Sequence, residues 1–295
     1  MVAMRYRNRP NLHRRHCASA SLLHVSKAGA RLEAKKGRRR AKEVAVPLEH
    51  YPQAGFELLD DRLPLWRFMK MRTFTRFVES GSLYFCRSDL LGDEHEGLPP
   101  EQYVRSTLPT MGPGATLENA WEVLKQDRQG SFVSCWTLDE TLHMWEKFAP
   151  EGVAVKSDVA RLKAVLNTIP ERAKLGYIRY SLKHEGYNIL RFITTKRPAF
   201  HREKEVRALV WDLTRSPQNP YPHDMPDGLS YPVDVPALAQ TVMVSPHAPA
   251  NLFDDVKALV SKHGYGSIPV VKSGFTGFGH LLPTADEIAE ILDKK

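Results

Sequence analysis

From residue 55 onward, apolar segments of strand length alternate with segments whose apolar residues recur at helical spacing, in irregular order. That irregularity argues against a doubly wound parallel sheet, which needs strict alternation of strand and helix. It predicts an α+β fold: a single mixed-sheet domain with flanking helices over residues 55–295. "LPLWRFM" (63–69) reads as a strand, and Phe74, Phe77 and Val78 mark a helix closed by Gly81. "SLYFC" (82–86) is the next strand, followed by the polar loop "RSDLLGDEHEG". Leu117, Ala120, Trp121 and Leu124 share a helical face, and "SFVSCWT" (131–137) follows as a strand. Thr137 and Glu140 have the spacing of a capping box for the helix "DETLHMWEKF", with Leu142, Trp145 and Phe148 as its buried stripe.

The second half repeats the mixture. "GVAVKS" reads as a strand, Val159, Leu162, Leu166 and Ile169 as a helix stopped by Pro170, and "LGYIRY" and "EVRALVWD" as further strands. "YPVDV" and "TVMVS" come next, then a helix carrying Leu252, Val256, Leu259 and Val260, the strand "IPVVKS" and a capped helix from Thr284.

The formal charge of +8 is concentrated at one end. Residues 1–42 hold thirteen of the 42 Lys and Arg and one acid, Glu33, so the remainder carries 29 bases and 33 acids, a net −4. The first 45 residues therefore read as a disordered basic tail, with too little apolar content to offset ordering entropy. Three readings of it stay open: an organelle-type transit peptide, a segment making nonspecific phosphate contacts with nucleic acid through "KKGRRRAK", and an over-extended start. The last is preferred. Charged residues punctuate every apolar segment, so no membrane partner is expected. Three cysteines without a C-x-x-C pair support neither a disulfide framework nor a zinc ribbon, which suits a reducing, cytoplasmic setting.

Phosphate-loop, dinucleotide-fingerprint, H-E-x-x-H and G-x-S-x-G motifs are all missing. Polar residues at strand ends remain: Arg67, the Arg87–Glu96 loop, Ser134, Thr137, Glu203 and Glu205. In "EKEVRALVW", strand alternation places Glu205, Arg207, Leu209 and Trp211 on one face and Val206, Ala208 and Val210 on the other.

Four separated blocks, "LWRFMKMRTFTRFVESGSLYFCRSDLLGDEHEG", "FVSCWTLDETLHMWEKFAPEGVAVKSD", "FHREKEVRALVW" and "VMVSPHAPANLFDDVKALV", resemble in order those of the bacterial domain-of-unknown-function 2971 family, over about residues 63–273. The chain departs from that pattern at "GDEHEG", where members usually carry an Asn-Asp-Pro-Phe-Glu-Gly-like loop. A second, weaker resemblance is to ADP-ribosyltransferases. It rests on an Arg-bearing first strand, a helix ending in Gly before "GSLYF", the Ser-containing "FVSCWT" and the Glu-bearing "EKEV".

The second resemblance implies NAD as a substrate, with Glu205 stabilising an oxocarbenium-like transition state and Arg67 binding pyrophosphate or ribose. Ser134 would brace the ribose and the Glu, Trp136 or Tyr84 would stack on a ring, Arg87 would add a cofactor contact, and Glu203 would position an acceptor. The acceptor itself, whether protein, nucleic acid or small molecule, is not legible. His95, His143 and His201 lack ligand spacing, so no metal is expected.

Two other readings compete. One is a magnesium-dependent nuclease using Asp89, Asp93, Glu94 and Glu96 with Glu203, Glu205 and Arg207. The other is a noncatalytic binding module that presents the Arg87–Glu96 loop.

Overall fold

The computed structural model describes residues 56–275, apart from 57, 94, 172, 182–188 and 212–224. The basic tail expected over 1–45 and the helix expected from Thr284 lie outside the described residues.

Strand β1 (Pro64–Lys70) sends Leu65 and Met69 into the main core and Trp66 and Phe68 to its other face. Helix α1 (Met71–Ser80) buries Phe74, Phe77 and Val78 and ends where Gly81 turns left-handed (φ 56°), its N–H reaching the Phe77 carbonyl. That conformation suits glycine, which has no Cβ to clash. β2 (Ser82–Arg87) leaves directly from the turn. Then come α2 (Glu101–Thr107), α3 (Leu117–Gln129), β3 (Ser131–Thr137), α4 (Leu142–Phe148), β4 (Gly152–Asp158) and α5 (Val159–Leu166). β5 (Ala173–Tyr177), β6 (Arg179–Tyr180), α6 (Ile189–Ile193), β7 (Thr195–Lys196) and β8 (Glu205–Trp211) follow. β9 (Gly228–Pro232), α7 (Val235–Leu238), β10 (Thr241–Val244), α8 (Leu252–Lys262) and β11 (Val270–Lys272) complete the described chain.

Nine of these strands form one mixed sheet, ordered β11-β10-β4-β1-β3-β2-β9, with β8 added to β3 and β5 to β8. The β10–β11 pair is parallel and its other pairings are antiparallel. The α+β expectation therefore holds, as does the mixed sheet. β6 and β7 form a separate parallel pair.

One edge of β3 is occupied along its whole length by β8, from Ser131↔Trp211 to Thr137↔Glu205. The other edge is divided: β2 takes it at Phe132 and Val133, and β1 takes it at Thr137. The sheet forks there. Between β1 and β4, Gly152 lies so close that a Cβ on it would stand 2.2 Å from the Met69 carbonyl oxygen, so the register admits glycine alone.

Along β8 the alternation read from the sequence is present. Val206, Ala208 and Val210 enter the main core, while Leu209 joins Val133, Phe56, Leu190 and Ile193 in a second cluster on the opposite face. The capping box is corrected. Thr137 donates its hydroxyl to the Glu203 carbonyl, and Thr141 caps α4 by accepting from the Met144 N–H. α4 is accordingly shorter at its start than the expected segment, and Met144 with Trp145 is buried while Leu142 and Phe148 are half-buried. Glu140 instead accepts from the Trp145 indole N–H at 3.0 Å and from the Ser273 hydroxyl. The expected "YPVDV" strand stops at Pro232, because Asp234 caps α7.

Among the described residues no helix is long and apolar enough to cross a membrane.

Candidate active site

The start of β8 gathers charge where the sheet is otherwise apolar. A 3-10 turn (Pro198–Glu203) runs into Lys204, the one described non-glycine residue with positive φ (40°), and then into β8. Glu203 and Glu205, on either side of that kink, share one cation: Lys196 Nζ stands 2.7 Å from Glu203 Oε2 and 2.7 Å from Glu205 Oε2. Arg207 donates to Glu205 Oε1 through Nε (2.9 Å) and Nη2 (2.7 Å), to the Ile193 carbonyl, and to Glu96. Lys147 from α4 closes the other end on Glu203.

Three carboxylates thus face three cations, and Glu96, Glu203, Glu205 and Arg207 are all buried. Buried charges persist only when paired and hydrogen-bonded, and these are. Burial alone would raise the Glu205 carboxyl, but the Arg207 and Lys196 charges outweigh it and hold the group well below the usual carboxylate range. The reciprocal effect raises Lys196: burial opposes its charge, and Glu205 with Glu96 more than offsets that. Burial, reinforced by Glu205, pushes the neighbouring Cys135 thiol upward and keeps it protonated.

This cluster forms one wall of a cavity of about 420 Å³. Trp66 and Phe68 of β1, Trp136 of β3, Phe148 of α4 and Phe200 of the 3-10 turn supply its aromatic surface. Phe68 is held edge-on by Trp145, ring centroids 4.8 Å apart. Phe200 is flanked by Lys147, Arg197 and Lys196 at 4.8, 5.2 and 5.5 Å from its ring centre, an arrangement that favours cations on the ring face. A mostly apolar cleft with several aromatic side chains and a few fixed charged groups is the usual form of a small-molecule site.

The other expected site residues lie elsewhere. Register pairs Glu205 with Thr137, so Ser134, three residues along β3, projects from the opposite face of the sheet beside Ala208. Ser134 accepts there from Arg67 Nη1 at 2.9 Å and from the Trp136 indole N–H at 3.2 Å. Arg67 Nη2 donates to the Tyr84 carbonyl at 2.8 Å, so its guanidinium bridges β1 and β2 where they part at the fork. Burial pushes that guanidinium down to about 10. Arg67 packs over Trp136 at 5.8 Å.

The Tyr84 hydroxyl donates to the Asp227 carbonyl, and Arg87 is engaged by Asp89 at 2.7 Å and by the Met225 carbonyl. The expected site residues therefore fall into two separate groups: Glu203 and Glu205 at the cavity, and Arg67, Ser134 and Tyr84 at the fork. Trp136 borders the cavity and also touches the fork group, so β3 contacts both.

Lys147, Lys196, Arg197 and Phe200 were not singled out by sequence reasoning. The one local signal was "KRPAF": proline restricts the residue before it to extended backbone, which Arg197 adopts (φ −62°, ψ 144°), turning the lysine–arginine pair out of any helix. Among the described residues no group of three or more His, Cys, Asp or Glu is placed to hold a metal ion. Asp89, Asp93, Glu96, Glu203 and Glu205 each sit on a cationic side chain. No family model, no curated protein and no solved structure matches this chain.

Proposed function

We propose that the aromatic cavity is a ribosyl-transfer site of ADP-ribosyltransferase type, taking NAD as substrate and passing its ADP-ribosyl group to an acceptor nucleophile. The observation that carries this reading is the pair Glu203 and Glu205, both hydrogen-bonded to one lysine at the wall of a cavity with five aromatic side chains. In the reaction the bond between the nicotinamide nitrogen and ribose C1′ breaks, its electron pair leaving on nicotinamide. The acceptor forms the new bond to C1′ and releases a proton. Positive charge builds on C1′ and the ring oxygen between those events, and a fixed carboxylate stabilises it.

Glu205, kept charged by Arg207 and Lys196, meets that need. Glu203 accepts from Lys147 and Lys196 and retains lone pairs for a substrate or acceptor hydroxyl. The aromatic side chains offer stacking surface for the nicotinamide. Arg67 and Ser134 act from behind the sheet by fixing β1, β2 and β3, without touching the substrate. The two described thiols, Cys86 and Cys135, are free, which suits a cytoplasmic setting.

The test is nicotinamide release from NAD by the purified full chain, with Arg67→Met as a second protein. Release by both proteins supports the cavity as the site. Absence of both release and NAD binding by wild type overturns the transfer reading and leaves the magnesium-dependent nuclease and the noncatalytic binding module. Loss of release in a folded Arg67→Met would move the site to the fork.

A further inference from the structure

A second cavity, of about 450 Å³, adjoins the first, and Asp93, Glu96, Lys196 and Arg197 border both. Two of the four are fixed. Glu96 is buried and Lys196 nearly so, and both belong to the charge network. The other two form a looser pair: Arg197 Nη2 donates to both oxygens of Asp93 at 3.0 Å, with about half of the arginine side chain, 51%, exposed. Asp93 is the more covered partner, 13% exposed, so the arginine is the half of the pair that can swing away, and an ion pair with one half-exposed partner contributes modestly to stability.

On the far side of the partition the lining turns to apolar and aromatic side chains, with Glu101 and Ser181 beside them. Trp121 from α3 stands there with Leu98, Pro99 and Pro100. On the near side, Arg197 already lies against Phe200. An aromatic side chain, a half-exposed arginine and a second aromatic side chain therefore follow one another across the two cavities.

We infer that the second cavity is the subsite for the distal base of a dinucleotide, and that Arg197 leaves Asp93 to take the bridging phosphates. The assignment deepens the reading above, resting on it for the ring that occupies the first cavity. Arginine's planar fork accommodates paired phosphate oxygens, and a base stacks on Trp121 irrespective of sequence-specific contacts. Asp93 is then a competitor for Arg197 and sets the affinity by opposing the ligand.

The experiment is calorimetric titration of the full chain with NAD, nicotinamide mononucleotide and AMP. It is run on wild type, Trp121→Ala, Trp121→Phe, Arg197→Ala and Asp93→Asn, each checked by thermal melt. NAD should bind wild type about tenfold or more tighter than nicotinamide mononucleotide. Trp121→Ala should remove most of that advantage and Trp121→Phe should restore it. Arg197→Ala should weaken NAD, and Asp93→Asn should tighten it by about two- to fivefold, the worth of a partly exposed ion pair.

Equal affinities for NAD and the mononucleotide, or a Trp121→Ala protein that binds NAD as wild type does, overturn the assignment. So does an Asp93→Asn protein that binds NAD more weakly. The two proposals fail separately. Tryptophan-dependent NAD binding without nicotinamide release keeps this subsite and rejects the transfer chemistry. Nicotinamide release from NAD that is unchanged in Trp121→Ala keeps the chemistry and rejects this subsite.

Discussion

Replacing Glu205 by Gln keeps the shape of the side chain and removes one charge from a network that is balanced at three against three. Arg207, 1% exposed, would keep Glu96 as its partner, and Lys196 would keep Glu203 and Glu96. One buried positive charge is then uncompensated. Removing one partner of a buried pair costs about 3–5 kcal/mol. For a domain of this size each kcal/mol lowers the melting temperature by roughly 2–4 °C, so a fall of about 6–20 °C is expected. Differential scanning calorimetry on wild type and variant measures it. The origin is tested by adding Lys196→Met, which rebalances the network at two against two. The double variant should recover at least about 1 kcal/mol relative to the sum of the single changes, the coupling expected of residues in one network. A Glu205→Gln protein that melts within about 1 °C of wild type would refute the reasoning, as would strict additivity of the two changes.

Other expectations follow from the same geometry. Because the folded Glu205 carboxyl lies below its unfolded range, its stabilising contribution is present above about pH 4.3 and is lost as pH falls towards the folded value. Acid titration of wild type should therefore show a loss of stability that is smaller in Glu205→Gln, and identical acid profiles would contradict the linkage. Gly152→Ala should destabilise by roughly 2 kcal/mol or more, since its Cβ meets backbone at 2.2 Å, and denaturant titration with an unchanged midpoint would dismiss the close approach. Arg67→Lys should lower stability measurably, because an ammonium group cannot reproduce the fork's reach from Ser134 Oγ to the Tyr84 carbonyl. Chemical denaturation that places it level with wild type would contradict that role.

The elements were legible in the sequence where period and punctuation agreed. β3 occupies the expected segment because its apolar residues are bounded by Gly130 and the polar stretch after Thr137, and α1 ends at the expected glycine. The start of α4 was misread because two threonines, Thr137 and Thr141, lie four residues apart, and only one is free to cap. Thr137 is still part of the sheet, its neighbour Leu138 donating to the Lys204 carbonyl across the β3–β8 ladder.

The parity of the site was not legible. Ser134 and Glu205 each read correctly as strand residues, but whether they share a face depends on the Thr137↔Glu205 register, which local sequence does not encode. Lys196 was also hidden, since a two-residue strand has no period. Its role emerges only when β7, the Glu96 turn and β8 converge.

The most direct measurement of the central claim is the rate of nicotinamide release from saturating NAD by Glu205→Gln, at neutral pH and well below the variant's melting temperature. The variant should be folded, with release slowed by about 100-fold or more, the scale on which a positioned group acting on transition-state charge contributes. Release within about twofold of wild type from the same folded variant would contradict it.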